Sequence, residues 1–335
     1  MKRLLGTLIL LTAFSVMAAA CGNDAQTLTV YSGRSEELVQ PLIDQFEAES
    51  GINVAVRYAD SAELAATILQ EDTNSPADVF FAQDPASLGT VALAGLFAKL
   101  PVSATSRVPA QFADEDGQWV GTSGRARTVV YDTTKVDAAA LPDTEDGFVD
   151  PQWKGRVAIA PTNGSFLAFV AAKILLDGEA ATLEWLEGMK ANSAPTYPKN
   201  SVIVAAVDNG EVATGLVNHY YLYRRIAEEG EANVVAANYS LPGGGAGSLV
   251  MPAGVGILAS SANPDAALEF ISFLLTTRAQ EYFATETFEY PIIDGVAASP
   301  GLAPLSSLNP PAINLSELAT MLDRATDLVA EAGLL

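Results

Sequence analysis

Two adjacent tyrosines, Tyr220 and Tyr221, carry the clearest potential for metal chemistry in this chain. They follow a short apolar run at residues 212–217 that ends in Asn218 and His219. Phenols titrate near ~10 in water, but a bound trivalent cation is the largest local charge and favours the phenolate. Consecutive side chains on a helix point about 100° apart, so the two phenols converge on one ion only where the backbone turns. The alternative is that both rings are interfacial aromatics with an apolar body and a polar tip.

A candidate anion site is the segment Asn163-Gly164-Ser165, which follows a predicted strand and opens a predicted helix. Free backbone N–H groups and the helix dipole bind anions at such a position. Simple capping is the alternative, because Asn and Ser are also common N-cap residues. Asn200 opens another predicted helix, and Asn218 stands shortly before the tyrosines. Two phenolates and a small anion would form an all-oxygen ligand set, which favours a hard ion such as ferric iron.

Catalytic constellations are largely missing from the sequence. The only histidine is His219, which excludes His-rich zinc sites and His-based triads unless His219 itself is the base. The glycines at residues 243–247 lack the Lys-Ser or Lys-Thr of a phosphate-binding P-loop, so we interpret them as a loop. Carboxylates are plentiful, but no motif places a glycosidase-type pair. We therefore predict that the protein is not an enzyme, with an exported hydrolase as the weakest alternative.

The N-terminus has the pattern of an export signal. Lys2 and Arg3 precede an apolar run at residues 4–20 that ends in three alanines, and Cys21 follows. A basic start, a short apolar region and small residues before the cleavage site are typical of a signal peptide, which we assign to residues 1–20. Because the only cysteine lies at the predicted cut, the site resembles a bacterial lipobox in which Cys21 is lipidated. The alternative is an ordinary signal peptide with an incidental cysteine.

The predicted localisation is outside the cytoplasm, at the outer face of the cytoplasmic membrane or in the periplasm. Residues 21–27 would form the lipid anchor and a short linker. The formal charge is −22, and removal of the positive Lys2 and Arg3 brings the mature part to −24. Such an acidic body argues against nucleic acid and anionic membrane surfaces as partners and would favour the approach of a cation. A lone cysteine also excludes an internal disulfide.

Predicted strands and helices alternate along the 335 residues, which indicates an α/β class with two lobes. Ser35 is the predicted N-cap of a helix that ends at Gly51, and Ser61 is the predicted N-cap of the next helix. The predicted strands are residues 28–31, 52–58, 76–81, 119–120, 127–131, 157–160, 212–217 and 249–257. The further predicted helices are residues 62–71, 86–94, 166–176, 181–190, 202–208, 264–275 and 316–332.

From Leu28 to the C-terminus, the chain carries a series of short segments that closely resembles the ferric-ion-binding proteins of bacterial ABC iron importers. The order and the nearly ungapped spacing of these segments make the resemblance specific. The segments are Leu28-Thr-Val-Tyr-Ser-Gly33, Ser75-Pro-Ala-Asp-Val-Phe80, Ser123-Gly-Arg-Ala-Arg127, Val130-Tyr-Asp-Thr133, Pro161-Thr-Asn-Gly164, Lys199-Asn-Ser-Val202, Gly210-Glu211 and Asn218-His-Tyr-Tyr221.

The resemblance implies a two-lobed, type II periplasmic-binding-protein-like fold of the α/β class, hinged by crossover strands. The N-terminal lobe would comprise residues 28–126 plus about 250–300, and the C-terminal lobe residues 127–249 plus about 301–335. The lobes would close on Fe(III) as cargo and deliver it to an ABC permease and its ATPase in the cytoplasmic membrane. A monomer is expected.

By the same resemblance, Tyr220 and Tyr221 match the paired phenolate ligands. Asn163, Gly164 and Ser165 match the helix N-terminus that holds a synergistic anion, carbonate or phosphate. Asn200 and Asn218 match side chains that help to bind that anion.

Two positions depart from the family pattern. Ser35 stands where many relatives have a ligand histidine, and Gln83 stands where a ligand glutamate is expected. Ser35 could be only a helix cap, and Gln83 could hydrogen-bond the anion or a metal-bound water. Asp84, Tyr131 or the anion itself could complete the metal shell.

Three arginines could balance the charge of the anion: Arg34, Arg125 and Arg127. Arg125 and Arg127 could equally pair with carboxylates in the hinge. The two departures also keep open a binding protein of the same fold for an organic or oxyanion solute, such as a polyamine, thiosulfate or a phosphonate.

Overall fold

The structure is a computed structural model, and it describes residues 27–335. The predicted signal peptide of residues 1–20, the predicted lipidation of Cys21 and the linker up to residue 26 lie outside the described residues. Within the described part, no helix is both long enough and apolar enough to cross a membrane.

Strands and helices alternate as the sequence predicts, with short 3-10 turns between them. The strands are β1 (Thr27–Ser32), β2 (Asn53–Tyr58), β3 (Val79–Ala82), β4 (Val120–Asp132), β5 (Val157–Ala158), β6 (Thr214–Asn218), β7 (Ala236–Tyr239) and β8 (Val250–Ile257). The helices are α1 (Glu36–Ser50), α2 (Ser61–Glu71), α3 (Pro85–Leu93), α4 (Val102–Thr105), α5 (Gly164–Asp177), α6 (Glu179–Ala191), α7 (Asn200–Asp208), α8 (Tyr220–Glu229), α9 (Pro264–Leu274), α10 (Thr277–Thr285) and α11 (Leu318–Glu331).

The strands form one mixed sheet in the order β2-β1-β3-β8-β4-β6-β5, with β7 also paired to β4. β1 pairs in parallel with β2 and β3, whereas β8 runs antiparallel to both β3 and β4. β5 pairs in parallel with β6. The carboxyl ends of β1, β2 and β3 therefore share one edge, and ligands of open α/β sheets bind at such edges.

β4 joins the two halves of the sheet. Its residues Val120–Ala126 pair with β8, and its residues Arg127–Tyr131 pair with β6. The change of partner coincides with the predicted lobe boundary at residues 126 and 127, although the lobe boundaries themselves stay a prediction. The prediction of two separate short strands at 119–120 and 127–131 is wrong, because both stretches belong to the continuous strand β4.

The intervening stretch Gly121-Thr-Ser-Gly-Arg125 lacks apolar residues and therefore did not indicate a strand. It is buried nonetheless, and its backbone pairs with β8 with a register shift between Gly121 and Ser123, while Gly124 also forms a bridge to Tyr290. Pairing in the middle of a sheet satisfies the backbone N–H and C=O groups of such a segment, whatever its side chains prefer.

Apolar packing covers both faces of the β1–β2–β3–β8 half of the sheet. Val79 and Phe81 of β3 belong to one core cluster with α1, α9 and α10, while Phe80 between them belongs to another. The second cluster continues through α3, α5, α6 and α11, so it extends across the change of partner in β4. The C-terminal helix α11 packs against α3 on one side and against α5 and α6 on the other.

Candidate metal-binding cleft

A cleft of about 550 Å³ gathers residues from both halves of the sheet. One wall comes from the segments that follow β1, β2 and β3, and another from the N-termini of α5 and α8. Three residues of α11 complete the lining. The polar and charged lining residues are Asp60, Ser61, Gln83, Asp84, Ser87, Arg125, Asn163, Ser165, Asn218, Tyr220, Tyr221, Asp323 and Thr326.

Tyr220 and Tyr221 converge in this cleft. Their ring centroids are 4.2 Å apart and the ring planes are inclined by 30°. Strand β6 ends at Asn218 and helix α8 begins at Tyr220, so a single residue, His219, makes the turn between the two elements. The predicted position at a strand end is therefore confirmed, but both tyrosines also belong to the first turn of a helix that the sequence analysis did not predict.

The phenol of Tyr220 is only 5% exposed, whereas Tyr221 is half-buried. Burial raises the pKa of Tyr220, and the neighbouring Tyr221 raises it further, while Arg125 opposes both effects. Tyr220 is therefore neutral at physiological pH unless a cation binds beside it. A cation that ionises this phenol must release its proton to the solvent.

His219 is a structural histidine. Its Nδ1 accepts a hydrogen bond from the backbone N–H of Ala126 at 3.1 Å, so Nε2 carries the proton and donates to the Phe288 carbonyl at 2.8 Å. Burial lowers the pKa of His219 to about 4, even though the hydrogen bond to the Phe288 carbonyl and the nearby Glu289 favour the charged form. Because both ring nitrogens are engaged, His219 has no free nitrogen to act as the base of a hydrolase triad.

The segment Asn163-Gly164-Ser165 forms the N-terminus of α5, as predicted. Asn163 is the N-cap, and its Oδ1 accepts from the Ser165 N–H at 3.1 Å and from the Ser165 hydroxyl at 2.6 Å. A Cβ added to Gly164 would meet no atom within 4 Å, so the space in front of this helix end is open. Capping and an accessible helix N-terminus coexist here, and capping therefore does not exclude an anion.

Asn200 lies behind this segment and does not line the cleft. It is 1% exposed, and its Nδ2 donates to the Ser165 Oγ at 2.8 Å and to the Asn163 Oδ1 at 3.1 Å. Asn200 is the first residue of α7, as predicted, and Lys199 is the N-cap. The Asn200 amide fixes the two polar side chains of the α5 N-terminus.

The three candidate arginines have different surroundings. Arg34 pairs with Glu289, with 2.9 Å between Nη1 and Oε1, so it is already neutralised by a carboxylate. Arg125 lines the cleft, is 2% exposed, and has no hydrogen-bond partner for Nε or Nη2 among the described residues. Burying guanidinium N–H groups without hydrogen-bond acceptors costs free energy. The Arg125 guanidinium lines the cleft and is therefore suited to bind an anion there.

Arg127 does not line the cleft but contacts a residue that does. Its Nη1 donates to the Asn218 Oδ1 at 3.2 Å, and its guanidinium lies 5.6 Å from the ring centroid of Phe169. Burial lowers the pKa of Arg127 to about 10, although Tyr220 and Tyr221 favour its charged form. Arg127 therefore stays positive at neutral pH and orients the Asn218 side chain that does line the cleft.

The four further candidate ligands are not equally placed. Gln83 lines the cleft, whereas Ser35 lines an adjoining cavity of about 540 Å³ that also contains Gln83. Ser35 is the N-cap of α1, as predicted, but its side chain makes no capping hydrogen bond. Tyr131 does not line the cleft, because it lies near the far end of β4, opposite Thr214. The structure therefore does not bring Tyr131 together with the tyrosine pair.

Asp84 lines the cleft, but its carboxylate is engaged. Oδ1 accepts from the backbone N–H of Ser87 at 2.8 Å, and Oδ2 accepts from the Ser87 hydroxyl at 3.0 Å. Asp84 is thus the N-cap of α3.

Two carboxylates in the cleft were not predicted, Asp60 and Asp323. Asp60 is the N-cap of α2, a place that the sequence analysis assigned wrongly to Ser61. A signal for Asp60 existed, because it follows β2 at the sheet edge shared with Ser35 and Gln83. No signal in the sequence points to Asp323, because only the packing of α11 brings this residue into the cleft.

Comparison with known proteins places the chain in a family. Residues 41–307 match the family described as bacterial extracellular solute-binding protein. The chain belongs to this family. Over 329 residues, this solute-binding protein is 36% identical to the major ferric iron-binding protein of Neisseria meningitidis serogroup B, with 96% of this chain and 98% of that protein covered.

Solved structures share its fold. Iron-bound HitA from Pseudomonas aeruginosa superposes with a TM-score of 0.84 at 34% identity, covering 92% of this chain and 99% of that chain. The Trichodesmium protein IdiA (FutA), in complex with iron and citrate ligands, superposes with a TM-score of 0.82 at 27% identity, covering 92% and 99%. The prediction of a two-lobed periplasmic-binding-protein fold is confirmed. The family also confirms that the chain is an extracytoplasmic binding protein and not an enzyme.

Proposed function

We propose that this solute-binding protein captures Fe(III) in the cleft through the phenolates of Tyr220 and Tyr221 together with a synergistic anion. It then delivers the ion to an ABC permease and its ATPase. The observation that carries the proposal is the stacked tyrosine pair, 4.2 Å between centroids, in the same cleft as the open N-terminus of α5 and the unpaired guanidinium of Arg125. Relatives and structural neighbours described as iron-binding support it.

The tyrosines and the anion act together in this proposal. Two phenolates neutralise two of the three charges of the ion, and the anion supplies further oxygen ligands of the hard type that Fe(III) prefers. Arg125, the α5 N-terminus at Gly164 and Asn218 hold the anion. We expect carbonate or phosphate, and the citrate complex of a structural neighbour indicates that a carboxylate anion is a further candidate.

Closure of the two lobes would exclude water from the site. Charge interactions strengthen as the local dielectric constant falls, so the attraction between each phenolate and the iron would become stronger on closure. The protein would work as a monomer, anchored outside the cytoplasm through lipidated Cys21.

A visible absorption titration tests this function. Chelated Fe(III) is added to the purified protein with and without bicarbonate or phosphate. We expect a phenolate-to-iron charge-transfer band that saturates at one equivalent, and we expect Tyr220→Phe and Tyr221→Phe each to lose most of the affinity while the fold survives. A folded protein that develops no band, or two single variants with unchanged affinity, would overturn the proposal.

A second candidate follows from Ser35 and Gln83, which leave the β1–β2–β3 side of the cleft without the usual histidine and glutamate ligands. It is a binding protein of the same fold for an organic or oxyanion solute such as a polyamine, thiosulfate or a phosphonate. A thermal-shift screen of these solutes separates it from the first candidate, because stabilisation by one of them without iron would favour it.

A further inference from the structure

We propose that Asp60 supplies a carboxylate ligand to Fe(III) from the β1–β2–β3 side of the cleft, in place of the histidine and glutamate that Ser35 and Gln83 replace. This inference rests on the proposed function and concerns the composition of the same site. Asp60 belongs neither to the sequence motifs nor to the ligands that the family resemblance implies.

The β1–β2–β3 side of the cleft needs a ligand of its own. Both tyrosines belong to α8, next to the β6 end of the sheet. An ion can drive closure of two lobes only if it interacts differently with the open and closed forms, which requires contacts from both sides. Ser35 and Gln83 carry no charge, and a hard trivalent ion prefers anionic oxygen ligands.

The carboxylates that line the cleft are those of Asp60, Asp84 and Asp323. Both oxygens of Asp84 accept hydrogen bonds from Ser87. Asp323 lies on α11, which also packs against α5 and α6. A bond from the ion to Asp323 would therefore not specifically connect the β1–β2–β3 side of the cleft with the tyrosines. Asp60 follows β2 on the required side. Its exposed carboxylate makes no capping hydrogen bond, and it has no other partner within residues 27–335.

Hydrogen bonding and close backbone packing hold the segment that carries Asp60. The next residue, Ser61, accepts a hydrogen bond at its Oγ from the backbone N–H of Gln83 at 2.9 Å. The loop after β1 lies so close that a Cβ on Gly33 would be 2.0 Å from the Ser61 Oγ. The segments after β1, β2 and β3 are thereby locked together, and Asp60 is held beside the position of Gln83.

Charge supports the same assignment. An anionic oxygen from Asp60 is the type of ligand that a hard trivalent ion prefers. Each substitution of Asp60 should therefore affect the bound ion and leave the unliganded fold unchanged, because the carboxylate makes no contact that the fold requires.

The test compares Asp60→Asn with a matched control, Glu63→Gln, in the full-length protein. Glu63 lies in the first turn of the same helix and lines the adjoining cavity but not the tyrosine cleft, and its substitution removes the same charge. Affinity for Fe(III) is measured by citrate competition and the charge-transfer band by visible spectroscopy. Thermal unfolding of the iron-free variants reports on the fold.

We expect Asp60→Asn to retain a shifted band and to lose at least about tenfold in affinity, since even residues behind metal ligands change affinity by about 10–100-fold. Glu63→Gln should match the wild type. If Asp60→Asn kept the wild-type affinity and band position, the inference would be overturned and the proposed function would stand. An equal loss of Fe(III) affinity in Glu63→Gln would have the same consequence. A loss in Asp323→Asn but not in Asp60→Asn would overturn it as well. A wild-type protein without any band would overturn both.

Discussion

Arg34 and Glu289 form an ion pair that is almost fully removed from water, with side chains 1% and 3% exposed. Two bonds join them, Nη1 to Oε1 at 2.9 Å and Nη2 to Oε2 at 3.0 Å, and the Ser123 hydroxyl donates to the same carboxylate. The pair ties the loop after β1 to the segment that holds His219 through the Phe288 carbonyl. It therefore joins the cleft wall to the backbone that positions the tyrosines.

We predict that Glu289→Gln lowers the free energy of unfolding by about 3–5 kcal/mol, because it leaves Arg34 as a buried charge without a counter-ion. Denaturant unfolding measures the loss. Glu49→Gln is the control, since its partner Arg278 and Glu49 itself are 63% and 48% exposed in the side chain, and such pairs contribute at most about 1 kcal/mol. Equal effects of the two substitutions would contradict the prediction.

Acid should weaken the fold through the same carboxylate. Burial raises the pKa of Glu289, but Arg34 and Arg125 outweigh burial, so its folded-state pKa lies below the ordinary value. A lowered folded-state pKa gives stability that is complete above the unfolded pKa of about 4.3 and is lost as the pH falls through the folded value. We expect the free energy of unfolding to fall below about pH 4.3, and less steeply in Glu289→Gln than in the wild type. If the free energy of unfolding fell equally steeply with pH in both proteins, other titratable groups would determine the stability in this acidic pH range.

The docking of the C-terminal segment gives a third prediction. A Cβ on Gly89 of α3 would lie 2.5 Å from the carbonyl oxygen of Ser316 and 3.2 Å from the Ala319 Cβ. Helix propensity alone would make Gly89→Ala stabilising by about 1 kcal/mol, whereas overpacking against a backbone atom costs about 1–3 kcal/mol. We expect a net loss of stability in thermal and denaturant unfolding. A variant that is more stable than the wild type would mean that α11 adjusts its position freely.

The central residues of the candidate site could be predicted because each follows a strand. Asn163 and Asn218 are preceded by short apolar runs, and polar residues at neighbouring strand ends meet at one sheet edge. Tyr131 has a similar local sequence but does not line the cleft, because its strand continues from β8 to β6 and carries it away from that edge. Which end of a strand lies in the cleft depends on sheet order, and no local pattern encodes that order.

Other features depended on tertiary packing. Helix α8 opens with aromatic and charged residues and is absent from the predicted helices, yet the hydrogen bonds of His219 to β4 and Phe288 fix a helix start there. Asp323 enters the cleft only because α11 packs between α3 and the α5–α6 pair. Packing of distant segments outweighs local preference at such places, and sequence patterns do not report it.

The last prediction concerns protons released by the tyrosines. Burial holds the pKa of Tyr220 above its ordinary value, so iron must displace one proton from each phenol that it binds. After correction for the chelator, the logarithm of the Fe(III) affinity should rise with pH near neutrality. The slope should be about one unit lower in Tyr221→Phe than in the wild type, whichever anion is present.

Tyr223→Phe is the control for this measurement. Tyr223 belongs to the same helix, but its hydroxyl donates to the Gly301 carbonyl at 2.9 Å and it does not line the cleft. Its substitution should leave the slope unchanged, because no proton of this phenol is exchanged for iron. If Tyr221→Phe kept the wild-type slope, Tyr221 would bind no iron as phenolate, and the pair would act only as stacked aromatic side chains.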